Sequence, residues 1–290
     1  MPIDSGSVIQ RRRLARELRR LRAETDLTLA QLVKQLGGTS TKWSRIEKGE
    51  SSVHPDDLTG LLMLYDVDVE SRRELMSYAR GSRPGGKRSW WTKYSDVLNA
   101  GYTEFIAFEN EAAIQHTYQP LLIPGLLQTE AYAHATHAGK FHAFNPDQAD
   151  DLVEVRMRRR RRLEGDNPLV LNAFLSEASL RIHVGGRNVM QEQLAYLVER
   201  ARLHNVSVRV VPNSGGIAGA YDSGVTLLDF PDAMDASVAF LASIVGTLLR
   251  EEARDVKRLI RVFEDLSQAA LSEGDSIALI EDAAGELNSD

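Results

Sequence analysis

Residues 27–51 read LTLAQLVKQLGGTSTKWSRIEKGES. Leu29, Leu32, Val33 and Leu36 recur at the spacing of one apolar helix face, and Thr28 stands just before them as an N-cap. Gly37 and Gly38 then end the helix, because glycine takes the left-handed backbone of a helix terminus without a steric cost. A second short helix runs through STKWSRIEK, with Thr39 or Ser40 as its cap and Gly49 as its stop. Trp43 and Ile46 lie three apart and face inward, while Thr41, Ser44, Arg45 and Lys48 share another face, small and polar at the start and cationic further on.

Two short helices crossing at a tight glycine turn are the pattern of a helix-turn-helix, whose second helix presents its first residues to a groove. An earlier helix precedes the pair, since Leu14, Leu18 and Leu21 fall at i, i+4 and i+7 with arginines between them. Charge follows the same division. Residues 1–89 hold 17 Lys+Arg against 12 Asp+Glu, a balance of +5, whereas the remainder holds 18 against 29, a balance of −11. A basic head on an acidic body points to a polyanion met by the head alone.

The 27–51 stretch resembles the Cro/phage-repressor (XRE) helix-turn-helix, from about Leu14 to Val67 if DDLTGLLMLYDV supplies two further helical segments that close the core. The resemblance implies base reading by Ser40, Thr41 and Arg45, with the DNA backbone held by Thr28, Lys42, Lys48 and Arg13. It also pairs Arg22 with Glu47, tying the first helix to the recognition helix. Two positions depart from the family pattern. Leu29 stands where a glutamine often bonds the DNA backbone, and Val33 where alanine allows closer helix approach.

The chain has 290 residues, 43% of them apolar and 26% charged, which is ordinary for two folded units. Residues 1–80 read as the helix-turn-helix domain and GSRPGGKRS, residues 81–89, as a linker. Residues 90–290 read as an α+β domain with a mainly antiparallel sheet. Helices are expected over about 129–138, 147–164, 187–204 and 251–271, and strands in LVLNAFL, VSVRVVP, VTLLDF and SVAFLASI. Between VSVRVVP and VTLLDF the glycine-rich NSGGIAGAYDSG reads as a hairpin loop.

PLLIPGLLQTEAY, RMRRRRRL, SEASLRIHVGG and VSVRVVPNSGG together resemble the C-terminal domain of actinobacterial WhiJ-like (Scr1-type), antitoxin-like regulators, which carries an XRE helix-turn-helix before it. The resemblance implies a transcription regulator, often paired with a small companion protein, and brings no catalytic residues. In PLLIPGLLQTEAY, residues Pro124, Gly125, Leu126, Leu127, Gln128 and Thr129 form an apolar loop leading into a helix, read either as core packing or as a ligand or partner surface. In RMRRRRRL the family pattern matches Arg156, Met157, Arg159 and Leu163. Arg156 and Arg159 are expected to pair with acids of the body. Arg158, Arg160, Arg161 and Arg162 are expected to be solvated, since consecutive residues scatter around a helix.

Enzyme chemistry has little to stand on. The absence of cysteine removes disulfides, thiolate nucleophiles and cysteine-bound zinc, and fits a reducing cytoplasm. The opening MPIDSGSVIQRRR has no apolar stretch behind its charges, unlike a secretory signal, and no apolar run is long enough to cross a bilayer. His134, His137 and His142 have no fixed third ligand, Gly215, Gly216, Gly219 and Gly224 lack the rest of a phosphate loop, and Ser176 and Glu177 have no arranged base. The expectation is therefore a cytoplasmic homodimer that binds a double-stranded DNA operator without cofactor, metal or membrane, and is not an enzyme. A companion protein or ligand acts through its body. An antitoxin-like protein that sequesters its companion is the alternative, and a hydrolase with accessory DNA binding is a third.

Overall fold

A computed structural model describes residues 7–81, 89–138, 146–219, 221–232, 234–243 and 246–289. Its contacts divide the chain between Lys93 and Tyr94 into two units, and each has a core of its own. The first unit contains five helices, α1 (Val8–Glu24), α2 (Leu29–Leu36), α3 (Ser40–Glu47), α4 (Pro55–Leu64) and α5 (Val69–Gly81). Local chemistry sets the starts of the first three. Ser7, Thr28 and Thr39 each accept a hydrogen bond from a backbone N–H in the following turn, and Gln31 returns the favour to Thr28 in a capping box. Leu14 and Leu18 of α1, Leu32 of α2, Trp43 and Ile46 of α3, and Leu58, Leu61 and Leu62 of α4 converge on one core. DDLTGLLMLYDV supplies only one of the two segments expected of it. Asp66 takes a left-handed φ of 50° just past α4, and α5 closes the core with Leu75 and Ala79.

The second unit is α+β. Its helices are α6 (Ala100–Glu111), α7 (Glu130–Ala138), α8 (Pro146–Arg160), α9 (Ala178–Arg181), α10 (Arg187–Ala201), α11 (Ala253–Ala269) and α12 (Glu273–Ser289). Its strands are β1 (Ile114–Gln119), β2 (Val170–Ser176), β3 (Val206–Val211), β4 (Val225–Asp229), β5 (Val238–Ser243) and β6 (Gly246–Arg250), in the order β3-β2-β1-β4-β5-β6. The sheet is mixed. Three neighbouring pairs are antiparallel, and the two made by β2, with β1 and β3, are parallel.

The hairpin expected in NSGGIAGAYDSG is not there, because β3 and β4 are separated by β2 and β1. The segment crosses the sheet instead, with a short 3-10 helix at Asn213–Gly219. Both parallel partners of β2 arrive through helical connections, which parallel pairing requires. Beyond the expected last helix lies a second one, α12, whose Ile280, Ala283 and Leu287 are buried. It covers the edge strand β3. The Ser276 hydroxyl accepts from Val210 N at 3.0 Å and Val210 O accepts from Leu271 N at 2.9 Å, so the edge offers less unpaired backbone to another chain.

Register places Thr117 of β1 opposite Thr226 of β4, and Thr226 opposite Phe240 of β5, so these three share a face. On that face lie Phe105 and Phe108 of α6, with ring centroids 5.1 and 5.7 Å from that of Phe240. The opposite face packs Tyr118, Phe174 and Leu227 against Phe263 and Leu266 of α11. A buried ion pair joins α8 to α6. Arg159 Nε and Nη2 donate to the two carboxylate oxygens of Glu109 at 2.7 Å each, with both side chains more than nine-tenths buried.

Removing one member of such a pair leaves a charge in low dielectric with nothing to answer it. Glu109→Gln is therefore expected to destabilise the second unit by about 3–5 kcal/mol. In urea unfolding, Glu109→Leu with Arg159→Met should cost less than the two single changes added together.

Candidate nucleic-acid interface and body cavity

In the first unit, α3 has one face in the core and one in solvent. Trp43 is 1% exposed, and its indole Nε1 donates to Gly37 O at 2.9 Å, locking α3 onto the end of α2. Ser40, Thr41, Arg45 and Lys48 are exposed. Gly37 and Gly38 have φ of 74° and 79°, which turns the chain between the helices. Gly49 ends α3 at φ 71°, and a Cβ there would stand 3.4 Å from Arg12 Cγ, so a bare backbone lets α1 approach. Arg11, 5% exposed, donates from Nε to Gly49 O at 2.7 Å. Sequence reading passed over this arginine because its neighbours carry the same charge and only packing selects it.

Arg22 and Glu47 meet as a fork, with Nε and Nη2 of the arginine 2.7 and 2.9 Å from the two carboxylate oxygens. Arg22 Nη1 also donates to Leu27 O at 2.8 Å, so one guanidinium joins α1, the α1–α2 turn and α3. Its hydrogen bonds to the Glu47 carboxylate raise its pKa, and it stays charged. The Arg45 guanidinium is half exposed and only 3.6 Å from Glu50, a loose pair that leaves it open to exchange partners.

The expected backbone contacts have more varied surroundings. Lys48 is exposed at the end of α3. Arg13 is half-buried, over the Tyr78 ring at 6.0 Å. The Thr28 hydroxyl donates to Gln31 Oε1 at 2.7 Å, within its own capping box. Lys42 Nζ lies 2.7 Å from Asp57 Oδ1 and 4.6 Å from the centre of the Trp43 ring. That lysine ties α3 to α4, so a phosphate would have to displace Asp57 to reach it.

In the second unit, PGLLQT separates into two kinds of residue. Leu126, Leu127 and Thr129 are buried in the packing beneath α7, where Gln193 of α10 accepts from Thr129 N at 2.8 Å and donates to Leu127 O at 2.7 Å. Pro124, Gly125 and Gln128 line a cavity of about 200 Å³ between this loop, α8 and the sheet. The floor is the polar side of β1, where Gln115, Thr117 and Gln119 alternate toward it. Thr117 and Thr226 share a hydroxyl hydrogen bond of 3.2 Å across the floor. Sequence reading did not find β1, because its inward positions are glutamine and threonine rather than apolar. The alternation at 115, 117 and 119 was the available signal.

Arg156 and Arg159 enter the cavity from α8. Arg159 Nη1 donates to the Tyr102 hydroxyl at 2.6 Å and its guanidinium lies over the Phe105 ring at 4.9 Å. Burial acts to raise the Tyr102 pKa, but the nearby charges of Arg159 and Arg156 outweigh it and the net direction is downward. Arg156 does not pair with an acid as expected; its Nη1 donates to Gln128 Oε1 at 2.6 Å. Three of the supposedly solvated arginines are also engaged. Arg162 Nη2 donates to Ala112 O at 2.8 Å, and Arg160 reaches Gln128 O at 3.2 Å with its guanidinium 4.6 Å from the Tyr196 ring. Arg158 pairs with Glu154 at 3.1 Å, and Arg161 is exposed.

A second cleft, about 460 Å³, opens on the other face between the sheet and α11. His116 there has Asp229 at 3.3 Å from Nε2 and Asn172 Nδ2 at 3.3 Å from Nδ1, so both ring nitrogens face these partners and neither faces a nucleophile. The Asp229 carboxyl is held below its usual range, first by the hydrogen bond to His116 and also by that to Ser237. His134 lies 3.6 Å from Asp150, and His142 lies outside the described residues. Among the described residues no three His, Asp or Glu side chains gather as metal ligands, and no helix is long and apolar enough to cross a membrane.

These features define a helix-turn-helix, DNA-binding regulator with an α+β body. Residues 13–75 match the model of a helix-turn-helix domain. Residues 102–282 match that of a domain of unknown function, DUF5753; they make up more than half of the chain, which belongs to that family. No curated protein and no solved structure matches the chain.

The phosphate contact expected of Lys42 can be tested through its Asp57 partner. Asp57→Asn is expected to free Lys42 for phosphate, steepening the plot of log affinity against log salt by up to about one unit. An unchanged slope would show that Lys42 stays with α4.

Proposed function

We propose that the protein is a sequence-specific transcription regulator of the XRE type that acts as a homodimer, with its body controlling how the two heads meet DNA. The reading rests chiefly on α3, which exposes Ser40, Thr41 and Arg45 on one side while Trp43 and Ile46 anchor the other. In this reading the Arg45 guanidinium bonds guanine O6 and N7, while Ser40 and Thr41 contact neighbouring base edges. Thr28 at the start of α2, Lys48, Arg13 and an exchanging Lys42 set the register through phosphates. Arg22 and Glu47 orient the recognition helix without touching DNA. Two protomers would place their recognition helices about 34–36 Å apart on a pseudo-palindromic operator.

The body is proposed as the controlling part and not as an enzyme. Support comes from the cavity beside PGLLQT, whose polar floor and paired arginines resemble a binding wall, whereas His116 has no nucleophile beside it. A small ligand fits that cavity better than a companion protein does, since its lining is mostly buried. The likeness to actinobacterial WhiJ-like, antitoxin-like regulators agrees with this division of labour, and a DNA-binding role supports a cytoplasmic location.

Genome-wide recovery of bound DNA fragments should return a pseudo-palindrome. On that operator Arg45→Ala should cost about 1–3 kcal/mol at one base position and relax the preference there. Lys48→Ala should weaken all sequences alike and lower the salt slope by about one. Equal losses on every sequence for Arg45→Ala would remove its base-reading role.

A further inference from the structure

The cavity beneath PGLLQT contains two polar groups that the fold leaves unanswered. Gln115 is 4% exposed, and its Oε1 is buried with no hydrogen-bond partner among the described residues. Arg156 Nε is likewise buried without a partner. Both residues line the same space. A buried acceptor or donor left unmatched costs on the order of 1–3 kcal/mol. Two in one cavity of a folded protein therefore point to something that supplies the missing bonds.

Arg156 specifies what that is. Its Nη1 is already committed to Gln128 Oε1, a neutral group, and no carboxylate of the described residues pairs with it. Arg159 differs, because Glu109 compensates its charge. What remains of Arg156 is the Nε–Nη2 edge, the two-pronged side whose geometry matches a carboxylate. Gly125 comes close to this edge, where a Cβ would stand in ordinary contact, 3.5 Å from Arg159 Nη1 and 3.6 Å from Arg156 Nε. Phe105, whose ring lies 4.9 Å from the Arg159 guanidinium, and Phe240 supply the apolar part of the lining. The amide of Gln115 calls for a hydroxyl or an amide on the same guest.

We propose that this cavity binds a small organic acid, its carboxylate on the Nε–Nη2 edge of Arg156, its apolar body against Phe105 and Phe240, and a hydroxyl or amide on Gln115. About 200 Å³ limits the guest to amino-acid size. The inference deepens the controlling role given to the body and rests on it only for its biological meaning, since binding is measurable without DNA.

Three probes separate the contacts, namely 4-hydroxybenzoate, 4-hydroxybenzamide without the charge, and benzoate without the hydroxyl. Titrated calorimetrically into the full chain, 4-hydroxybenzoate should bind about tenfold or more tighter than its amide, and severalfold tighter than benzoate. Arg156→Gln should erase the preference for acid over amide. Gln115→Leu should erase the preference for the hydroxyl while leaving the melting temperature unchanged or higher, because it removes an unmatched acceptor. A polar residue with a purely structural role would not show that pattern. Absence of saturable binding at millimolar concentration, equal binding of acid and amide, or retained discrimination in either variant overturns the proposal. Repeating the titration with operator DNA distinguishes the two readings: acid binding that leaves DNA affinity unchanged upholds the cavity and removes the body's control over the heads.

Discussion

An arginine taken out of water must find a partner for its charge and for each of its N–H groups, and in both units this requirement decides which helices meet. In the first unit Arg22 is answered by Glu47 and Leu27 O, and Arg11 by Gly49 O. The C-terminal end of the recognition helix is thereby held from its inner side, leaving its outer side to solvent. In the second unit Arg159 is answered by Glu109 and Tyr102 and so fixes α8 over α6. Such pairs contribute orientation more than net stability, since desolvating two charges offsets much of their attraction.

Where this requirement is met incompletely, the structure departs from the pattern of a plain core. The centre of the sheet usually collects Val and Ile, yet β1 turns Gln115, Thr117 and Gln119 toward the helices. Thr117 and Thr226 satisfy one another, while Gln115 Oε1 finds no partner among the described residues. Folded proteins break local rules mainly at sites with another task, and here the break coincides with Arg156 and the PGLLQT loop. Closely packed hydrogen bonds from Gln193 and Gln128 hold that loop, so the cavity has a stiff rim.

The helix-turn-helix was legible because each of its signals is local. Thr28, Thr39, Gly37, Gly38 and Gly49 act within a turn or two of their own position, and the apolar positions of α1 to α3 repeat at one period. The second unit was legible by element but not by arrangement. LVLNAFL, VSVRVVP and VTLLDF are strands, yet nothing local says that β3 pairs with β2 rather than β4, so NSGGIAGAYDSG was misread as a hairpin. β1 escaped for the complementary reason, since its buried side is polar.

The arginine run marks the boundary between the two kinds of knowledge. By itself the sequence determined that RMRRRRRL lies on a helical segment whose charges point in different directions, because the helical period of 3.6 residues allows nothing else. It also determined which stretch forms the recognition helix and which of its side chains face outward. Only the tertiary structure decided that Arg159 is buried on Glu109, that Arg162 caps the carbonyl of Ala112, that Arg161 stays in solvent, and that Arg156 looks into a cavity with one edge unpaired. Glu109, Ala112 and the Gln128 that holds the other edge of Arg156 lie 28 to 50 residues away in the chain, and a long-range partner is fixed by how the layers pack, not by the residues beside it.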